Sequence, residues 1–155
     1  MLKVVYALFL GLLLAAFVGI GVATFYQSPK YPEYPIELEQ RAPDKALTPE
    51  QKQIDQKNRD DQKKYQEDFS RYNRNTSIIV LAFALLFLAL GLLLAHRLDI
   101  IADGFVLGGI FSLIYSIGRG FASEDLAYRF IVISVGLVIA LILGYIKFIK
   151  PTTVK

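Results

Sequence analysis

Long uncharged apolar runs alternate with one long polar stretch along this chain, and the pattern predicts helices throughout. Four runs reach, or nearly reach, the length needed to cross about 30 Å of hydrocarbon. The first runs from Val4 to Tyr26, with no charge from Val4 through Pro29. The second, Ile78 to Ala95, is rich in Leu. The third, Ile100 to Gly118, is interrupted by Asp103 and carries four glycines. The fourth, Tyr128 to Ile149, is uncharged from Phe130 to Ile146. In the third, the uninterrupted part is only Gly104 to Gly118, so a re-entrant segment is the alternative there. A full span is favoured, because four closely spaced helices can bury its Gly and Ser. The first run also permits a signal-peptide reading, with Lys3 before it and small residues at Gly21 and Ala23. Its length and the apolar stretch Phe17 to Ile20 favour an uncleaved anchor.

The expected fold is therefore all-α: a four-helix transmembrane bundle with a long extramembrane amphipathic helix between the first and second spans. Residues 1–26 form the first span and 27–77 the polar insert. Residues 78–155 hold spans at 78–95, 100–118 and 128–149 and a short basic tail. The insert divides again. Gln27 to Pro49 holds Pro29, Pro32, Pro35, Pro43 and Pro49. This density of fixed φ and missing N–H donors predicts an extended collar over 27–48. Tyr26, Tyr31 and Tyr34 near its start suit a membrane interface, where a ring can be half-buried with its hydroxyl wet.

From Thr48 the pattern turns helical. Thr48-Pro49-Glu50-Gln51 combines a cap, a first-turn Pro, an acid at the positive dipole end and the Gln of a capping box. Acids precede bases by four residues at Asp55/Arg59, Asp60/Lys64 and Glu67/Arg71. Ile54, Tyr65, Phe69 and Tyr72 mark one thin apolar stripe, interrupted by Asp61. The reading is a solvated helix over 49–75, roughly 40 Å long at 1.5 Å per residue. It can run straight into the second span, with Asn73 to Ser77 as the weak joint, because such side chains compete for backbone hydrogen bonds. His96 to Asp99 is a tight turn that makes the second and third spans antiparallel. Between the third and fourth spans Ser123 is the expected cap, with Glu124 and Asp125 in the first turn.

Inside the spans, small residues recur every four positions: Ala7, Gly11, Ala15, Gly19 and Ala23 in the first, Gly104, Gly108, Ser112, Ser116 and Gly120 in the third, and Gly136, Ala140 and Gly144 in the fourth. Small residues let helices approach closely where lipid supplies no hydrophobic drive. Each step of four advances about 40° around the helix. Five positions thus suit a right-handed crossing or contact with two neighbours in succession. The first and third spans are expected inside, and the second, with Leu85, Leu86, Leu88, Leu92 and Leu93, towards lipid. An oligomer interface or pore lining is the functional alternative for the stripes.

Composition sharpens this picture. Of the 155 residues 54% are hydrophobic, mean hydropathy is +0.43, and only 20% are charged, below the usual quarter or so. That excludes an ordinary soluble domain, a disordered chain and a nucleic-acid binder. The net charge of +3 does not come from the insert, whose ten basic and ten acidic residues cancel. The excess sits at span ends, in Lys3, Arg97, Lys147, Lys150 and Lys155. With no cysteine, thiol chemistry of every kind is excluded.

Candidate chemistry is sparse, and no cofactor is implied. Asp103 is the one carboxylate within an apolar segment, which makes it a functional hypothesis by default. One turn from Asp99, it also serves as an N-terminal dipole partner at the membrane surface. His96, Asp99 and Asp103 have no defined metal geometry across a turn. Arg119 and Arg129 are expected to snorkel and pair with Glu124 and Asp125. Asn75-Thr76-Ser77 is a glycosylation sequon, but it abuts a span in a chain of bacterial compactness and reads as the helix joint. No catalytic set is visible.

The leading expectation is a non-enzymatic scaffold or interaction subunit in the cell (inner) membrane. Its arm would offer Ile54, Tyr65, Phe69 and Tyr72 to a protein partner or to its own copy. The alternative is a small oligomeric channel or transporter using Asp103, Ser112 and Ser116. Lys3 before the first span, acids after it and lysines after the fourth favour cytoplasmic termini and an exported insert, against the vote of Arg71 and Arg74.

Overall fold

The computed structural model describes residues 1–33, 35–36, 48–95 and 97–146. Among the described residues the chain is all-helical, with four helices: α1 (Leu2–Phe25), α2 (Pro49–Leu94), α3 (Asp99–Ala122) and α4 (Leu126–Gly144). Each contains a stretch long and apolar enough to cross a membrane. The third is one unbroken 24-residue helix.

α2 contains both the charged arm and the second apolar run in a single helix of 46 residues, about 69 Å at 1.5 Å per residue. Its start is the capping box legible in the sequence. Gln51 N–H donates to Thr48 Oγ1 at 3.2 Å, and Thr48 N–H donates to Gln51 Oε1 at 3.1 Å. Thr48→Ala is expected to cost the arm about 1 kcal/mol locally. Amide exchange should accelerate over residues 49–53 and stay unchanged within the apolar parts of the helices. Of the three acid–base pairs expected along the arm, Asp55–Arg59 closes at 3.0 Å. The other two are absent from the ion pairs of the described residues, as exposed pairs of this kind gain little.

There is no joint at Asn73 to Ser77. The helix passes through this stretch without interruption, and Asn73, Thr76 and Ser77 are completely buried. Asn73 still bonds a carbonyl of its own helix, but tertiary partners on α3 engage Asn73 and Ser77 as well, as described below, and the helix continues.

α3 is the hub. It packs along α2 and α1 and touches α4 more lightly. Within the most apolar stretch of each helix, the buried share is 39% for α3, 33% for α2, 17% for α1 and 11% for α4. The expected order of α1 and α2 is thereby reversed. Leu85, Leu86 and Leu93 do face outwards, but Val80, Ala84, Phe87 and Leu88 form a buried second face. With only four residues between them in the sequence, α2 and α3 pack along each other, and small residues let the two close. A Cβ on Gly91 would lie 2.6 Å from Val106 Cγ2 and 3.1 Å from the Ala102 carbonyl oxygen; one on Gly109 would lie 2.6 Å from Leu88 and 3.0 Å from the Ala84 carbonyl oxygen.

The α3 stripe turns from one neighbour to the next. Gly104 and Gly108 receive Leu10 and Leu14 of α1, while Ser116 and Gly120 meet Ser77 of α2. Gly11 of α1 seats against Leu107 and the Gly108 backbone. Val18, Val22, Val80 and Phe87 close the core among α1, α2 and α3; Ala84, Leu88, Leu113 and Ile139 close it among α2, α3 and α4. The outer faces carry Phe9, Phe17, Ile20, Phe130, Leu137 and Leu141, all exposed. Such a surface is costly in water and suits hydrocarbon.

The α3–α4 connection differs from expectation. Ser123 ends α3, its Oγ donating to the Gly120 carbonyl at 2.6 Å, and Asp125 caps α4 by accepting from Tyr128 N–H at 3.1 Å. A carboxylate at the cap favours the helix start more than a hydroxyl two residues earlier, because it also meets the positive dipole end.

Candidate functional site

Two regions concentrate polar groups, one at each end of the bundle. The first grips α2 where the arm meets the apolar run. Ser77 Oγ donates to the Ser116 carbonyl at 2.7 Å, Ser116 Oγ donates to the Ser77 carbonyl at 2.8 Å, and the two hydroxyls lie 3.1 Å apart. One turn outwards, Arg119 Nη1 donates to Asn73 Oδ1 at 2.9 Å and its Nε to the Tyr115 hydroxyl at 3.0 Å. Asn73 Nδ2 in turn donates to the Phe69 carbonyl at 3.0 Å. The guanidinium also lies over two rings, 5.6 Å from the centre of Tyr72 and 5.5 Å from that of Tyr115. It is thus held by neutral groups, and the expected pairing with Glu124 and Asp125 does not occur. Asp125 lies 3.6 Å from Arg74, and Arg129 Nε donates to the Ser123 carbonyl at 2.7 Å. Buried neutral acceptors satisfy a guanidinium without requiring a second desolvated charge.

The remaining contacts surround the same two turns of α2. Glu124 N–H donates to Ser70 Oγ at 3.0 Å, the Tyr128 hydroxyl to the Arg74 carbonyl at 3.3 Å, and Asn75 Nδ2 to the Tyr26 hydroxyl at 2.9 Å. Residues 70–77 are therefore held by α1, α3, α4 and the α3–α4 connection.

Further along the arm the apolar stripe is occupied by the chain itself. Tyr26 stacks on Tyr72 with centroids 5.2 Å apart, Phe69 lies 6.3 Å from Tyr72, Tyr65 stacks on Phe69 at 5.6 Å, and Tyr31 meets Tyr65 edge-on at 5.0 Å. Of the four residues expected to meet a partner, Tyr72 is 5% exposed, while Tyr65, Phe69 and Ile54 are partly covered. Tyr34 and most of the collar lie outside the described residues. Tyr31→Ala is expected to remove about 1 kcal/mol of ring contact. Tyr65 should then become more accessible to collisional quenchers without any change in helix content.

The second region is a cleft of about 780 Å³ at the opposite end of the bundle. α3 forms its floor and Lys3, Leu92 and Leu143 stand around it. Asp103 lies here, exposed, with Asp99 one turn before it. His96 lies outside the described residues, and no metal-binding group of acids and histidines occurs among those described.

The small residues divide by environment. Ala7, Gly11, Gly104, Gly108, Ser112, Ser116, Gly120 and Gly136 are buried, and Gly136 faces Ile117. Ala15 and Gly19 are half-buried, and Ala23 and Ala140 are exposed. A Cβ on Gly144 would meet nothing within 4 Å. Ser112 Oγ and Thr76 Oγ1 are buried without a hydrogen-bond partner among the described residues. Sequence reasoning missed Asn73, Ser77, Gly91 and Gly109. A signal was present: in an antiparallel hairpin, residues equidistant from the turn face each other, which pairs Ser77 with Ser116 and Ala84 with Gly109. No protein-family model, curated protein or solved structure matches this chain.

Proposed function

We propose that this is a non-enzymatic membrane scaffold that holds a charged helical arm at a set angle to the bilayer and presents it to a protein partner or to a second copy. The observation that carries the reading is the grip on residues 70–77 of α2 by every other part of the bundle. A spacer needs no such grip; an arm that must arrive in one orientation does. Because Tyr31, Tyr65, Phe69 and Tyr72 engage one another, the outward face is charged, with Lys57, Lys64, Glu67 and Asp68 exposed. That face fits a polar partner surface, for which charge pattern governs choice of partner and rate of encounter.

Photoreactive side chains placed singly at the exposed positions of Glu50 to Arg71 test the reading in intact cells. A discrete adduct recurring with the helical period on the face away from Tyr65 is expected. Adducts at no position, or at all positions alike, would overturn it. Asp103→Asn is expected to leave ion flux across proteoliposomes and the adduct pattern unchanged; a lost flux with an intact fold would favour the transport reading.

The proposed orientation places both termini in the cytoplasm and the insert outside, in a cell (inner) membrane. Lys3 leads the first apolar run, and Lys147, Lys150 and Lys155 follow the fourth. The chain lacks cysteine, so Lys57→Cys and Thr153→Cys report cleanly. A membrane-impermeant thiol reagent on intact cells should label position 57 and spare position 153.

A further inference from the structure

α2 is one helix through both the arm and the second apolar run, so a single face passes from one to the other without a break. Counted in sevens, one row of residues on its outer side reads Lys57, Lys64, Arg71, Ile78 and Leu85. The row four residues further on reads Asp61, Asp68, Asn75, Ala82 and Ala89. All of them are exposed. The spacing is the a/d repeat of a two-stranded coiled coil, held from Lys57 to Ala89 over about 48 Å at 1.5 Å per residue. Among the described residues nothing covers this face. Tyr26 and Tyr31 lie on a different stripe, against Tyr72 and Tyr65, and α3 packs on the inner side, at Ser77, Ala84 and Gly91. Along the arm the charges on this face alternate in sign, basic at Lys57, Lys64 and Arg71 and acidic at Asp61 and Asp68. Such neighbours commonly pair within one helix. Here they do not: the ion pairs among the described residues are Asp55–Arg59 and Arg74–Asp125, and neither joins the two rows.

We propose, building on the scaffold reading above, that the partner of the arm is a second copy of this chain, joined through this face of α2 along the arm and the apolar run alike. Two copies inserted in one bilayer point the same way, so their α2 helices run parallel about a two-fold axis. The basic row of each helix then lies alongside the acidic row of the other. Each long basic side chain stands between partner acids one turn above and one turn below. Because the same alternation is carried by both helices, the face is complementary to itself, whereas half of it repels a partner surface of uniform charge. Deeper along the seam, Ile78 and Leu85, 50% and 45% exposed, alternate with Ala82 and Ala89. Small side chains between large ones let the two helices approach where packing alone drives association.

The chain has no cysteine, so single cysteines in the full chain report pairing by disulfide formation in oxidised native membranes. Ile78→Cys, Ala82→Cys and Leu85→Cys lie on the proposed seam. Ile79→Cys and Phe83→Cys are the controls, also exposed but lining the groove between α2 and α1. A product of twice the 17.4 kDa chain mass is expected at the three seam positions, several-fold above the controls. Two sets of charge reversals then test the arm, each in the Ala82→Cys background. Lys57→Glu with Lys64→Glu and Arg71→Glu makes both rows acidic, and Asp61→Lys with Asp68→Lys makes both basic. Each set alone should lower the yield several-fold. Co-expression of the two should restore it as a disulfide between the two kinds of chain, which also shows that both fold. Equal yields at seam and control positions, no disulfide at any position, or no recovery in the mixture would overturn the proposal. Periodic arm adducts to a different protein would in that case leave the scaffold reading standing. Loss of the adducts together with the disulfides would remove both.

Discussion

Gly11→Ile is expected to lower unfolding stability by about 3 kcal/mol, at the upper end of what overpacking usually costs. The cost arises at the first added carbon. A Cβ on Gly11 would lie 2.7 Å from Leu107 Cβ, 3.0 Å from the Gly108 nitrogen and 3.2 Å from the Leu107 carbonyl carbon. None of these is the end of a flexible side chain, so no rotamer change relieves the clash. α1 must back away from α3. Leu10 and Leu14 then leave the hollows at Gly104 and Gly108, and close packing is lost along the whole contact. In the membrane setting proposed above, no hydrophobic drive restores it. Gly21→Ala and Gly118→Ala are the controls. A Cβ at either position meets nothing within 4 Å, and the better helix propensity of Ala is worth up to about 1 kcal/mol. Steric-trapping or detergent-denaturant titration of the three variants measures the contrast. If Gly11→Ile matched Gly21→Ala, the α1–α3 contact would not be a feature of the folded protein.

The same residues show what a linear reading can reach. The apolar runs are long, and helix caps are local, so the α2 start at Thr48 and Pro49 and the number of helices long and apolar enough to cross a membrane are legible without any tertiary knowledge. Asn73 and Ser77 were not. Taken alone, side chains that bond to their own backbone weaken a helix. Here Asn73 meets Arg119, 46 residues away, and Ser77 meets Ser116, 39 residues away, so the polar groups that looked like a break become the attachment. The Leu content of the second run misled for a related reason. Hydrophobicity distinguishes membrane from water but not lipid from protein, and both faces of α2 are apolar. What decides burial is the small residue opposite, and Gly91 and Gly109 lie outside the four-residue stripes that drew notice to Gly104 and Gly108. The two clusters of Tyr side chains were each visible, but pairing Tyr26 with Tyr72 and Tyr31 with Tyr65 requires knowing that the chain folds back along the arm.

Arg119→Ala is expected to free the arm while leaving the packing of the apolar helices in place. It removes the donor to Asn73 Oδ1, an acceptor on a fully buried residue, and an unpaired buried acceptor costs about 1–3 kcal/mol. It also removes the hydrogen bond to the Tyr115 hydroxyl and the cation over Tyr72 and Tyr115. The Ser77–Ser116 exchange lies one turn deeper and survives, so the apolar part of α2 keeps its register against α3. Arg119→Lys should not restore the native state, because one ammonium cannot reach an amide oxygen and a phenol in the fork geometry of the guanidinium. The natural lack of cysteine allows spin labels at Lys57→Cys on the arm and Phe121→Cys on the bundle. Pulsed dipolar spectroscopy should give a narrow distance distribution for the native chain and a broad one for Arg119→Ala and Arg119→Lys. The arm cross-linking pattern should lose its helical period in the same variants while membrane insertion and helix content stay constant. A distribution that stays narrow in Arg119→Ala would show that Ser77, Ser116 and the Tyr26–Tyr72 stack suffice to hold the arm. The orientation of the arm would then be set one turn deeper, within the apolar part of the bundle.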